Sequence, residues 1–461
     1  MLYFYKGGKI MSKVKTIIAL FSVLILVQGL QAQKREPEDT VELMNQIRRE
    51  KFDSVLPQVM RENKVDMWIH VIRPWIPDPL AYEFGSDSGI FVFTDRGGER
   101  IERAVFNSEV QDPSVFDIIK GKADALDLQN YYVPKDPEKG IETELDYRFK
   151  ELGKFVAERD PQRIAVNYSE KLALAEGSEM RPLTDGLSHT DYIQLTKALG
   201  TRYANRIVSA EYLIIDYLSR RVKKEVELNH LMGLKATKYL EREFDKIVPG
   251  VTTLGELEQN VFVRDPDGNE HNNDDYVIQR GDLIGILYGA GDMRRIMDAD
   301  VGGIAYVLRE GETDLPPEIK KIWNESVEIR EIIRKNIKPG RTARETLNIL
   351  IRKLEEAGYV YIDKDEYDRN VDPKKTQVHL DLHAMGKGML GPRISPMGPK
   401  WQGDMKIPIN HCFAFEFMVH MPVPKWGKGK HLYVCFHDGG VVTEHGAEYN
   451  YPPCQGIRII N

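Results

Sequence analysis

Cysteine is scarce, with three in 461 residues, at positions 412, 435 and 454. So few thiols exclude a scaffold built on disulfides. Cys412 and Cys435 also lie in apolar, strand-like runs, where a buried small hydrophobe is the expected role. A basic surplus is missing as well: 64 Lys and Arg stand against 71 Asp and Glu, a net charge of −7. The signs are mixed along the chain, which excludes a nucleic-acid-binding face. The N-terminal apolar run, residues 16–26, falls short of the roughly 20 residues that a membrane span requires. Preceded by Met11-Ser12-Lys13-Val14-Lys15 and followed by Ala32, it has the form of an export signal. The expectation is a start at Met11, cleavage near Ala32, a signal over 1–32, and a periplasmic or secreted protein with no membrane contact after cleavage. A calcium loop is absent too. Residues 265–275 (DPDGNEHNNDD) are polar, but their glycine is at the wrong offset for an EF-hand, so a solvated loop is expected.

What is present is enough apolar sequence, 42% of 461 residues, for two cores. Helical spacing runs from 37 to 63. Strand-like runs follow at 65–72, 89–94, 101–105 and 164–168, with a helix-like stretch at 143–158. Helices alternating with strands predict an α/β (α+β) class, here an N-terminal domain with a mixed sheet. Trp68, Trp75 and Tyr82 either pack in that domain, the default for aromatics, or line an entrance. A long helical region at 210–248 carries a mixed charge run that reads as a solvated face, and Pro249-Gly250 ends it. A domain boundary is placed near Asp216, giving 38–215 and 216–461. Beyond it, helices are expected at 312–335 and 343–358, an exposed acidic loop at 362–372, and strands to the end.

The chemistry concentrates in the second part. Residues 378–392 read VHLDLHAMGKGMLGP, with His379 and His383 four apart and His383 opening a His-x-x-Gly that runs into a glycine-rich turn. Upstream, the apolar run 281–289 (GDLIGILYG) is followed by Asp298 and Asp300. Downstream come CFAFEFMV with Glu416 and LYVCFHDGG with His437. A carboxylate, a histidine, a carboxylate and a histidine, each beside a strand-like run, form a nitrogen and oxygen donor set suited to a metal ion on rigid elements.

The order of these pieces resembles the pita-bread metallohydrolases, in particular the Xaa-Pro aminopeptidase and creatinase branch. The resemblance is carried by Gly281-Asp282-Leu283, Ala305-Tyr306-Val307-Leu308 with Gly311-Glu312-Thr313-Asp314, and Pro422-Val423-Pro424-Lys425-Trp426-Gly427. It implies a creatinase-like N-terminal domain followed by a pita-bread domain, a peptide substrate or ligand, and a homodimer.

Family members carry five metal ligands, and here the pattern departs at two. Leu287 stands where the first aspartate belongs. The second aspartate is Asp298 by spacing and Asp300 by register, the latter preferred. His383 and Glu416 match ligands, His379 matches the histidine on the substrate side, and His437 replaces the second glutamate. Leu390 stands where a further histidine assists catalysis. The losses group by metal, which implies one divalent transition ion (Mn, Zn or Fe) in place of two. His379, His383 and Glu416 would be catalytic, and Asp300 (or Asp298), His383, Glu416 and His437 would hold the ion. The interval after Thr253 also looks too short for the family's usual helix and strand. The implied activity is an exported metallopeptidase of Xaa-Pro aminopeptidase type. The alternatives are a non-catalytic peptide or partner binder and a metal-independent creatinase-like hydrolase of C–N bonds.

Overall fold

The computed structural model describes residues 38–74, 76–121, 149, 151–172, 181–257, 260–291 and 296–461. The expected export signal, Trp75 and most of the helix-like stretch at 143–158 lie outside them. Chain contacts separate a short unit, 1–46, from a large one, 47–461. The described part of the short unit begins the helix Glu38–Glu50.

Within the large unit, residues 67–209 build one mixed six-stranded sheet, ordered β4-β3-β2-β1-β5-β6. Its strands are β1 (Met67–Ile72), β2 (Gly89–Thr94), β3 (Glu102–Phe106), β4 (Ile118–Lys120), β5 (Ile164–Val166) and β6 (Ile207–Ser209). The alternation of β1 sends Met67, Ile69 and Val71 into a core with Phe155, Val156, Leu195 and Leu199 from the helices Leu152–Arg159 and His189–Ala204. Trp68 points the other way, into an aromatic cluster 5.5 Å from Phe84, 5.3 Å from Phe93 and 5.8 Å from Tyr217 between ring centroids. It is fully buried and lines no entrance, whereas Tyr82 is exposed.

The long helical region is two helices, Glu211–Ser219 and Lys223–Asp245, rather than one. The break has a physical cause. Arg221 turns inward to donate to the carbonyls of Met385 and Gly386, at 2.8 and 3.2 Å. The second helix restarts with the Glu225 carboxylate accepting the Val222 N–H at 2.9 Å.

Residues 260–460 form two further sheets. One is ordered β17-β10-β9-β7-β8, from β7 (Asn260–Arg264), β8 (Glu270–His271), β9 (Leu283–Gly291), β10 (Asp298–Val307) and β17 (Arg458–Ile460). The interval after Thr253 holds a strand pair and one 3-10 turn, Leu254–Glu256, with no α-helix among its described residues, in keeping with its short length. The other sheet runs β11-β12-β14-β15-β16, with β13 also paired to β14. These strands are β11 (Val360–Tyr361), β12 (Gln377–Leu380), β13 (His383–Ala384), β14 (Cys412–Pro422), β15 (His431–Thr443) and β16 (Gly446–Tyr449).

Period-two alternation sorts both sheets into a dry face and a chemical face. Ala299, Val301, Ala305 and Val307 of β10 pack on helix 223–245 through Ala236, Leu240 and Phe244. Phe413, Phe415, Phe417 and Phe436 pack on the helices Pro317–Asn336 and Ala343–Glu356. The former helix starts at Pro317 rather than near 312, since Pro316-Pro317 marks a helix start. The latter opens on a reciprocal cap between Thr342 and Glu345. No described helix is long and apolar enough to cross a membrane.

Candidate metal centre

The chemical faces meet where β10 lies against β15. At Gly302 the contact is so close that a Cβ would come 2.9 Å from the His437 backbone nitrogen. Two residues before Gly302, Asp300 shares its face, and the Asp300 carboxylate lies 3.6 Å from His383 Nε2. On the facing sheet Glu416 of β14 is paired in register with His437 of β15, and His383 with Ala414. Directly paired residues project to the same side. Glu416 therefore sits between two imidazoles, with Oε2 3.3 Å from His383 Nε2 and Oε1 3.0 Å from His437 Nε2. The four residues expected from the sequence, Asp300, His383, Glu416 and His437, are thus brought together. Their side chains are 25%, 7%, 17% and 12% exposed, so each has little water to solvate it.

Electrostatics follow from that burial. It opposes ionisation of Glu416, yet the adjacent His383 and His437 imidazoles hold its carboxyl down at about 2. Burial also works against the charged imidazoles. Glu416 and Asp300 still raise His383, while Cys435 and Glu416 hold His437 well above its ordinary value. Asp300 goes the other way: desolvation wins over both imidazoles and raises it. His437 Nε2, although close to Glu416, is a buried nitrogen out of line for a hydrogen bond. A buried donor set that its own members do not satisfy fits a divalent cation.

The remaining sequence candidates are placed differently. Asp298, two residues from Asp300, accepts the backbone N–H of Gly386 and so braces the glycine-rich turn. Gly386 has φ 78°, and a Cβ there would lie 2.6 Å from the Ile296 carbonyl oxygen, so only glycine lets the turn approach β10. His379 is fully buried. Its Nδ1 is 3.0 Å from the Ile362 carbonyl, its Nε2 has no hydrogen-bond partner, and its pairing with Met418 puts it on the same sheet face as Glu416. Leu287 is paired with Gly302 and faces the same side as Asp300, while Leu390 is buried.

Cys435, read from the sequence as a buried small hydrophobe, is buried, and it lies on the chemical face, a position the sequence reading did not consider. Its sulfur and the ligand atoms of Glu416 and His437 all lie within 4.8 Å of one another. Burial raises its thiol. The signal that could have found it is its place two residues before His437 on one strand.

A second cluster lies behind the glycine-rich turn. Lys387 Nζ contacts Glu83 and lies 3.7 Å from Glu225, while Lys51 Nζ is 3.6 Å from Glu83 and 3.9 Å from Glu225. All four side chains are essentially buried.

Comparison with solved structures places the fold. The chain superposes on the X-Pro aminopeptidase of Thermotoga maritima with a TM-score of 0.53 at 16% identity, covering 87% of this chain and 100% of that one. The fold is the pita-bread fold. The Xaa-Pro dipeptidase of Bacillus anthracis gives 0.51 at 15% identity, over 90% of this chain and 100% of its own. A dipeptidase from Mycobacterium ulcerans gives 0.51 at 12%, over 90% and 98%. No family model and no curated protein matches the sequence. A groove of about 1050 Å³ lined by Asp216, Arg220, Trp401 and Lys406 shares no lining residue with the metal-centre cluster.

Proposed function

We propose that the chain is an exported metallopeptidase of Xaa-Pro aminopeptidase type, working as a homodimer of two-domain chains (38–215 and 216–461). It would hydrolyse peptides from the N-terminus at a centre holding one divalent transition ion, Mn, Zn or Fe. The observation that carries this reading is the Glu416 carboxylate held between His383 and His437 with Asp300 beside it. Two imidazoles and two carboxylates form a complete set for a single ion, and Leu287 on the same face gives a second ion no carboxylate. Once bound, the ion supplies Lewis-acid polarisation of the scissile carbonyl.

The residues divide the remaining work. Glu416, between the two imidazoles, would ligate, and the Asp300 carboxylate beside His383 would accept the proton of the attacking water. His379, on the Glu416 face with its Nε2 unpaired but fully buried, would meet a substrate group only once the residues covering it move aside. A second reading, a peptide binder without turnover, is favoured by Leu287 and Leu390.

Elemental mass spectrometry of the mature protein, beside turnover of Xaa-Pro peptides, separates the readings. The expected result is about one ion per chain, with turnover lost in His383→Ala. A bound ion without turnover selects the binder. No ion after incubation with zinc, manganese and iron overturns the metal centre.

A further inference from the structure

The single-ion reading leaves Cys435 without a role, and the inference here rests on that reading. Cys435 and His437 are two apart on β15 and project to one side, while Val434 and Phe436 between and before them enter the dry core. The Cys435 residue is 3% exposed. The other two thiols are differently placed: Cys412 donates to the Asn410 carbonyl and Cys454 to the Gly456 carbonyl, each at 3.6 Å. Cys435 instead faces a carboxylate and an imidazole, its sulfur within 4.8 Å of a ligand atom of each. The second observation is the buried His437 Nε2 that makes no hydrogen bond within this group.

We propose that Cys435 would be a thiolate ligand, adding a sulfur donor beside Glu416 and His437 to the nitrogen and oxygen donors of the centre. On binding, the sulfur gives an electron pair to the cation and its proton leaves to solvent. A thiolate changes which metal the site prefers. Carboxylates and imidazoles accept manganese readily, while a soft sulfur donor favours zinc, cobalt or iron.

The test uses the full chain loaded with one equivalent of cobalt(II), read in the near ultraviolet, where a thiolate bound to cobalt gives a charge-transfer band. The band is expected in the wild-type protein, lost in Cys435→Ser and retained in Cys412→Ser. Zinc affinity of Cys435→Ser should fall about tenfold or more, with manganese affinity changed less. X-ray absorption at the zinc edge of the wild-type protein needs no variant, and a sulfur neighbour at about 2.3 Å is expected. Cobalt bound without the band, a band that persists in Cys435→Ser, or a zinc shell of light atoms alone overturns thiolate ligation and leaves the metal centre standing. Failure to bind cobalt or zinc at all overturns both.

Discussion

Glu416 is claimed at each oxygen by a different imidazole, and this sets the pH behaviour of the metal-free chain. Its folded pKa, about 2, is below the ordinary 4.5, so its contribution is present in full above about pH 4.5 and lost as pH falls toward 2. The magnitude is on the order of 3 kcal/mol at most. His383 and His437 are raised above 6.5, so their contribution is present below about pH 6.5 and lost as pH rises through their folded values. Both limbs report the same contacts and do not add. Denaturant midpoints of chelated protein should therefore peak between about pH 4.5 and 6.5, and Glu416→Gln should flatten both sides. A midpoint that climbs steadily to pH 8 would contradict the geometry. At this scale the sequence was legible where residue type and spacing sufficed, as for His383, Glu416 and His437. It was not legible for Cys435, because an apolar run containing cysteine reads as core until the strand's alternation is applied residue by residue. Between Asp298 and Asp300, which share a face, spacing and register disagreed, and register preferred Asp300. The contact made by each carboxylate separates them, with Gly386 taking Asp298 and His383 lying beside Asp300.

The elements owe their placement to close approaches that hydrophobic patterning does not report. Gly302 lets β10 lie on the backbone of β15, which is what holds Asp300 near His383 and Glu416. Gly302→Ala puts a methyl group 2.9 Å from the His437 nitrogen and 3.3 Å from Leu287. The strands must separate, at a cost of about 1–3 kcal/mol, visible in urea unfolding, and metal affinity should fall with it. Unchanged unfolding and affinity would show that the contact does not set the site. The helix break at 220–222 was hidden for a similar reason: Arg221 reads as one charge in a solvated run, and only its bonds to the Met385 and Gly386 carbonyls show it to be internal. The acidic stretch after Ile362 is the exposed loop that the sequence predicts, with 363–366 at the surface, but its anchors were not legible. Asp365 accepts from Tyr433 and lies 2.9 Å from His420, and Tyr367 stacks on His431, so partners distant in sequence hold it down.

At the scale of the molecule, the order of elements and the pairing of a mixed-sheet half with a pita-bread half were readable from periodicity and motif. The ties between the halves were not, because single lysines and glutamates carry no pattern. Lys51, Glu83, Glu225 and Lys387 set two amines against two carboxylates where little water reaches, and burial pushes both amines below their ordinary value. Replacing Lys387 by Met leaves two carboxylates facing one ammonium group and should cost about 3–5 kcal/mol, measured as a lower urea midpoint. Apolar residues at all four positions should recover most of it, and a loss below about 1 kcal/mol for the single change would show the cluster to be solvated after all. The turn that presents His383 is thus fastened by residues from the other end of the chain. A chimera taking its first half from one of the aminopeptidases of like fold would need to bring a lysine and a glutamate at the positions of Lys51 and Glu83. Without them the graft would fail first at the histidine turn, far from the splice.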